Sequence, residues 1–341
     1  MSKTVSLPKT RKDLWHILPG ILISLIALAL VFYFVDWHGF LDALKHANYS
    51  FYFLALLVYL ISYFFRTWAW RSLLKEEVSF KKVFLTMNAG YLLNNILPFR
   101  LGELGRAFLL GHAGLGFWRV FSTILIERSF DMILAAGLLL GTLPFVVNAP
   151  GDWQLGAAVG GLMLAGFAFL YILARQHQTV ISWFDKLGAR WPRLVEMGRG
   201  RLDAFLTGLS VLTDFSRFLR VLCWMVTSWV LAIFYQFLLL LAFVPNAKFL
   251  WPAFGLATMG LGIALPSSPS YIGVYEAAWV GSLALFGISS AIALAYALLG
   301  HVTHILLTGI IGVYALAQEG ETLGDLFRKI RARPSDNSKE T

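Results

Sequence analysis

The chain has 341 residues and a formal charge of +9, yet only 14% of its residues are charged while 58% are hydrophobic. Soluble domains carry roughly 25% charged residues, so this composition excludes a soluble globule and leaves no room for a large soluble domain. Nucleic acid is not an expected partner, because the Lys and Arg residues cluster between apolar runs, where they set membrane orientation.

In chain order, residues 1–16 carry Lys3, Lys9, Arg11 and Lys12 and read as a cytoplasmic tail. The first apolar run, 17–35, is longer than a signal-peptide core and has no small-residue cleavage site after Val35, so an uncleaved anchor is expected. Full spans are expected at about 17–35, 51–70, 119–147, 155–174, 219–243 and 291–317. Two more apolar regions, 83–112 and 251–288, are interrupted by Pro and Gly and read as helical hairpins or re-entrant pairs. The fold class is therefore all-α: a polytopic helical membrane protein with about six full spans plus two broken hairpins. A membrane β-barrel does not fit, since its ten-residue alternation is missing. The integral domain covers 17–320 and the basic tail 321–341.

The connection 175–218 between the two halves places Leu202, Phe205, Leu206, Leu209 and Leu212 at helical spacing. It reads as a helix on the cytoplasmic leaflet or as a linker packed on the bundle. Lys and Arg concentrate in the N-terminal tail, in 66–82, in 175–220 and after 318, while the opposite loops hold Lys45 and Lys248. Both termini are thus expected in the cytoplasm, with the protein in the inner (cytoplasmic) membrane. The only cysteine, Cys223, lies in an apolar run and forms no internal disulfide or Cys-based metal cluster.

The two interrupted regions resemble each other. Pro98-Phe99-Arg100-Leu101-Gly102 precedes Glu103, and Pro269-Ser270-Tyr271-Ile272-Gly273 precedes Glu276. Similar breaks entering from opposite sides are the mark of an inverted repeat, with Pro98, Gly102, Pro269 and Gly273 as turn formers. Helix N-termini exposed at such breaks favour anions.

Around the first break stand Asn94, Asn95, Arg100, Glu103 and Arg106, and the next span opens with Glu127, Arg128 and Asp131. Charges in hydrocarbon are costly and persist with a partner or a task. Glu103 is three residues from both Arg100 and Arg106, and Arg128 three from Asp131, so each pair can share a helix face. The arginines suit a phosphate, gripped bidentately. Asn94 and Asn95 would orient the head group or cap the broken helix, and Glu103, Asp131 and Glu276 would neutralise the arginines or take a coupling proton. The competing reading is a set of structural ion pairs, with Arg106 and Arg128 snorkelling to the interface. His301 and His304, three residues apart with no carboxylate nearby in sequence, read as helix-packing residues. No Ser-His-Asp order, Walker loop or Rossmann fingerprint is present, and no metal, cofactor or enzyme activity is expected.

Taken together, Asn-x-x-x-Pro-x-Arg-x-Gly-Glu-x-x-Arg over 94–106, Glu127-Arg128 with Asp131, and Pro-x-x-x-Gly-x-x-Glu over 269–276 resemble the lysylphosphatidylglycerol synthase transmembrane region family, whose members are also described as flippase-like. The resemblance runs over roughly residues 15–320 and implies a helical membrane protein that moves or handles polar lipids. Ser270-Tyr271 departs from the Gly-Gly of many members. No soluble aminoacyltransferase half follows in this sequence, so transfer of lysine from tRNA is not expected. The expected partners are membrane lipids, with a homo-oligomer or a lipid-modifying enzyme as further candidates. The expected activity is translocation of an anionic amphiphile. Two alternatives stand beside it: a non-transporting anchor of a lipid-modifying enzyme or glycosyltransferase, and an intramembrane transferase using Glu103 or Glu276 as base.

Overall fold

A computed structural model describes residues 35–97, 100–146, 153–188, 192–262 and 268–320, together with 25, 26, 29 and 33. The anchor at 17–35 falls almost wholly outside the described residues, as do both tails and Pro98. The described residues are mostly helical, with no strand among them. The helices are α1 (Trp37–His46), α2 (Tyr49–Leu73), α3 (Phe80–Ile96), α4 (Leu101–Leu110), α5 (Phe117–Val146) and α6 (Trp153–Arg175), followed by α7 (His177–Gly188), α8 (Pro192–Leu209), α9 (Phe215–Leu241), α10 (Leu250–Gly262), α11 (Val274–Ala284) and α12 (Ser290–Gln318).

Local chemistry fixes many helix starts. Asn48 caps α2, Ser79 caps α3, Asp214 caps α9 and Ser289 caps α12, each accepting a backbone N–H in the first turn. Four helices, α2, α5, α9 and α12, are long and apolar enough to cross a membrane. Between 22% and 44% of their most apolar windows is buried against protein. Side chains such as Phe53, Leu57, Leu306 and Ile310 point outward. Water does not tolerate that much apolar surface, and lipid does.

The helices form two matching units, α2–α5 and α9–α12. Each consists of a long helix, a hairpin with a broken tip, and a second long helix. The packing repeats under exchange: α3 lies on α12 as α10 lies on α5, α3 on α4 as α10 on α11, and α4 on α5 as α11 on α12. The two leading helices, α2 and α9, lie side by side and run antiparallel. The Asn48 amide donates to the Ala242 carbonyl at one end (2.7 Å), while Trp68 packs on Trp224 at the other (5.4 Å between ring centroids). Equivalent helices pointing in opposite directions make the repeat an inverted one.

The connection between the units differs from a single leaflet-bound helix. It folds as α7 and α8, and Leu206, Leu209 and Leu212 are buried in the core, with Leu202 and Phe205 packed against them. α8 lies so close to α5 that a side chain at Gly208 would overlap the Ser122 hydroxyl. The apolar face is covered by protein rather than by lipid.

Candidate functional site

The ion cluster is built on α5. Glu127 and Asp131 are four residues apart and Arg128 is three from Asp131, so all three lie near one face. From α2, Arg66 donates through Nε to Glu127 Oε1 (2.8 Å) and through Nη1 to Asp131 Oδ1 (2.6 Å), and its Nη2 meets Asp131 Oδ2. From α4, Arg106 Nη2 donates to Glu127 Oε2 at 2.6 Å, while its guanidinium lies 3.9 Å from the Trp70 ring centroid. Arg128 completes the cluster, with Nη2 on Glu127 (3.0 Å), Nη1 by Asp131 (3.3 Å) and Nε by Glu103 (3.5 Å). From α9, the Trp229 indole donates to Asp131 at 3.0 Å.

Two expectations need correction. Glu103 pairs with Arg128 rather than with its sequence neighbour Arg106, whose partner is Glu127. Arg106 does not snorkel. It is 1% exposed, held between Trp70 and Glu127. Tertiary partners outcompete the local ones because a buried charge needs close, well-directed contacts on several sides.

At the first break the chain turns at Arg100, which is left-handed (φ 53) and makes the N-cap of α4. Gly102 is not a turn former. It is helical, and its lack of a side chain lets the Gly90 carbonyl and Asn94 approach. The Asn94 side chain accepts from the Gly102 amide (2.8 Å), which is the expected cap of the broken helix. At the second break, Pro269 opens a 3-10 turn, Ser270 and Tyr271 are left-handed (φ 56 and 60), and Gly273 (φ 88) does turn the chain. That conformation is glycine's natural territory, and Ser270 and Tyr271 adopt it without being glycine.

The N-terminal amides are not bare: Asn94 takes that of Gly102, and Glu276 Oε2 takes that of Gly273 at 2.7 Å. The breaks touch each other. Ser270 Oγ donates to Asn95 Oδ1 (3.2 Å), and Asn95 Nδ2 donates to Thr308 Oγ1 on α12 (2.8 Å). The Arg100 guanidinium lies 5.6 Å from the Tyr271 ring centroid.

Two adjoining cavities open between the units. One, of about 220 Å³, is walled by Arg66, Arg100, Arg128 and Asp131 together with the apolar side chains of Met132, Leu256 and Met259. The other, of about 210 Å³, shares Arg100, Arg128 and Met259 and continues past Asn94, Asn95 and Glu103 to tyrosines and histidines. Of the expected binding residues, Asn94, Asn95, Arg100, Glu103, Arg128 and Asp131 therefore line a cavity. Arg106, Glu127 and Glu276 do not. They are 1%, 0% and 1% exposed and act from behind the wall.

Sequence reasoning missed Arg66, counted there only as a loop charge. The signal was present: Arg66 falls inside the predicted span 51–70, where an arginine is a functional flag. It also missed His301, whose Nδ1 contacts Glu276 Oε1 at 2.6 Å, and His304, bonded to the Tyr59 hydroxyl at 2.6 Å. Both partners are remote in sequence.

The arrangement is an amphipathic cavity between inverted units, lined by both guanidiniums and apolar side chains. The Lysylphosphatidylglycerol synthase TM region family matches residues 17–312, and the chain belongs to that family. It is also similar to Glycosyltransferase AglD of Haloferax volcanii, 25% identical over 84% of this chain and 51% of the relative. The chain thus spans about half the length of that relative.

Proposed function

We propose that the protein is a lipid translocase of the cytoplasmic membrane, taking an anionic amphiphile into the cavity between its inverted units. The observation that carries this reading is that both cavities are lined by the guanidiniums of Arg100 and Arg128 from the first unit and by Leu256 and Met259 from the second. A phosphate-bearing head group matches the guanidiniums, and the first acyl or prenyl carbons match the apolar side chains. Among the described residues, four guanidiniums (Arg66, Arg100, Arg106 and Arg128) gather with three carboxylates (Glu103, Glu127 and Asp131), a predominantly cationic cluster that suits an anion. Alternate exposure would follow from rocking of one unit against the other about the α2–α9 contact. No enzymatic step is assigned.

The test is lipid movement in proteoliposomes with head-group-labelled anionic and zwitterionic lipids. Movement of the anionic lipid is expected, with Arg100→Ala slowing it at least tenfold while the protein stays monodisperse. Equal rates in wild type and variant would remove the site from this assignment.

A second reading is favoured by the match to half of a protein named as a glycosyltransferase: a membrane partner that presents a glycolipid to such an enzyme without moving it. Among the described residues, a side chain at Gly160 or Gly161 on α6 would meet nothing within 4 Å, which leaves this small-residue face open to a partner. The surroundings of Gly156 lie outside the described residues. Well-folded protein that moves no lipid, yet co-purifies with a transferase, would favour this second reading.

A further inference from the structure

His301, on α12 and 4% exposed, sits between two fixed acceptors. Its Nε2 is 2.8 Å from the Ser270 carbonyl oxygen. A carbonyl only accepts, so Nε2 carries a hydrogen. Its Nδ1 is 2.6 Å from Glu276 Oε1, and Glu276 Oε2 already accepts from the Gly273 amide. A neutral imidazole with its hydrogen on Nε2 presents a lone pair at Nδ1, and an ionised carboxylate presents lone pairs too. Two lone pairs at that separation repel, and burial removes the water that would screen them. One proton between Nδ1 and Oε1 turns the contact into a hydrogen bond. With it the pair is neutral overall, whichever atom holds it.

We propose that Glu276 and His301 form a proton-binding site coupled to the anion cavity, so that head-group binding and one proton are thermodynamically linked. The inference rests on the translocase reading for its cargo. The link is built in atoms. The Ser270 carbonyl that holds His301 belongs to the left-handed Ser270–Tyr271 turn, whose Ser270 hydroxyl reaches Asn95 and whose Tyr271 ring lies by Arg100. Loss of the proton sets the carboxylate against the Nδ1 lone pair and loosens the anchor of that turn. An anion beside Arg100 and Arg128 in turn favours the protonated pair, and such linkage is reciprocal.

The groups facing this site do not supply the proton otherwise. On α11 the Tyr275 ring stacks on His301 at 4.3 Å between centroids. On α12, His304 is bonded to the hydroxyls of Tyr59 and Tyr63 on α2, which can donate to it, so no extra proton is required there. Tyr235 of α9 and Tyr91 of α3 line the same cavity. The charged groups on its far wall are Arg100, Glu103 and Arg128, which carry the coupling.

The test is nitrogen NMR of the 15N-histidine-labelled full chain in nanodiscs, across pH, with His301 assigned as the signal missing from His301→Gln. Nδ1 is expected to carry or accept a proton at neutral pH and to lose it in one step as pH rises. An Nδ1 with no proton and no hydrogen bond at any pH overturns the proposal. That reading needs only the wild-type protein and His301→Gln, so it survives a failure of Glu276→Gln to fold. Where Glu276→Gln does fold, the Nδ1 signature should be lost.

Coupling is read from the midpoint of that step. Phosphatidylglycerol nanodiscs should place it about one pH unit above phosphatidylcholine nanodiscs, a tenfold change in proton affinity. Arg100→Ala should abolish the difference, which separates head-group binding from the surface potential of the bilayer. Inorganic phosphate added to phosphatidylcholine nanodiscs distinguishes a free anion from a lipid head group. Equal midpoints in all three preparations overturn the coupling. Lipid movement without any such displacement would sink this inference and leave the translocase standing, whereas displacement without lipid movement would sink the translocase alone.

Discussion

Glu127 has no exposed surface, and the guanidiniums of Arg66, Arg106 and Arg128 all reach it. Removing its charge leaves the buried Arg106 without its carboxylate partner and thins the pairing of Arg66 and Arg128, which costs about 3–5 kcal/mol. Glu127→Gln is therefore expected to fold poorly or to unfold at markedly lower temperature in detergent, whereas Glu103→Gln, on the cavity wall, should change transport more than stability. The reverse ranking would mean that Glu127, rather than Glu103, is the residue the cargo meets.

A different regime holds at the surface. Glu77, in the turn between α2 and α3, hydrogen-bonds Arg119 at the start of α5 (2.5 Å), and that bond holds its carboxyl below the usual carboxylate range. Because the folded-state value is the depressed one, the stabilisation is complete above the free carboxyl range and is lost as pH falls from there through the lower folded-state value. Both side chains are partly exposed, so it amounts to under about 1 kcal/mol. Glu77→Gln should lower the unfolding temperature slightly at neutral pH and leave it unchanged in acid.

At the scale of the element, the breaks are defined by close approach as much as by turn chemistry. Gly102 on α4 faces Gly90 on α3, whose own missing side chain makes room for the Arg106 stem. Gly102→Ala would put a methyl group into the Gly90 carbonyl and push α4 off α3. Overpacking of this kind costs about 1–3 kcal/mol, and here it would also displace the arginine that balances Glu127. Thermal unfolding of Gly102→Ala should show that loss, while Gly141→Ala, a position open to space, should not.

The periodicity rules that placed the long helices were sufficient because each long helix needs only an uninterrupted apolar run. The same rules read Gly102 as part of the turn because sequence shows a glycine next to a proline, not the backbone that the glycine must let in. They likewise assigned the apolar stripe of α8 to lipid or protein without distinction, since both present the same face to a leucine.

Across the whole molecule, the exchange of α2–α5 with α9–α12 predicts that corresponding changes in the two breaks affect the same step. Orientation belongs at this scale too. The Lys and Arg distribution predicts Lys248 on the outside and Lys75 in the cytoplasm. In a Cys223→Ser background, Lys248→Cys should react with an impermeant maleimide in intact cells and Lys75→Cys only after permeabilisation. The opposite pattern would invert the assigned topology.

By itself the sequence determined the class of protein, the long helices, the two breaks and most residues of the charged wall. Each of those signals is local: hydropathy over one helix length, Pro and Gly at a break, arginines and carboxylates where hydrocarbon makes them costly. Tertiary structure decided who pairs with whom. Arg66 joined Glu127 and Asp131 across 61 and 65 residues, and His301 joined Glu276 across 25. It also decided that Asn94, Asn95, Arg100, Glu103, Arg128 and Asp131 line the cavities while Arg106, Glu127 and Glu276 stand behind them. A buried charge is stabilised by whatever opposite charge the fold brings within a few ångströms, and separation along the chain carries no record of that distance.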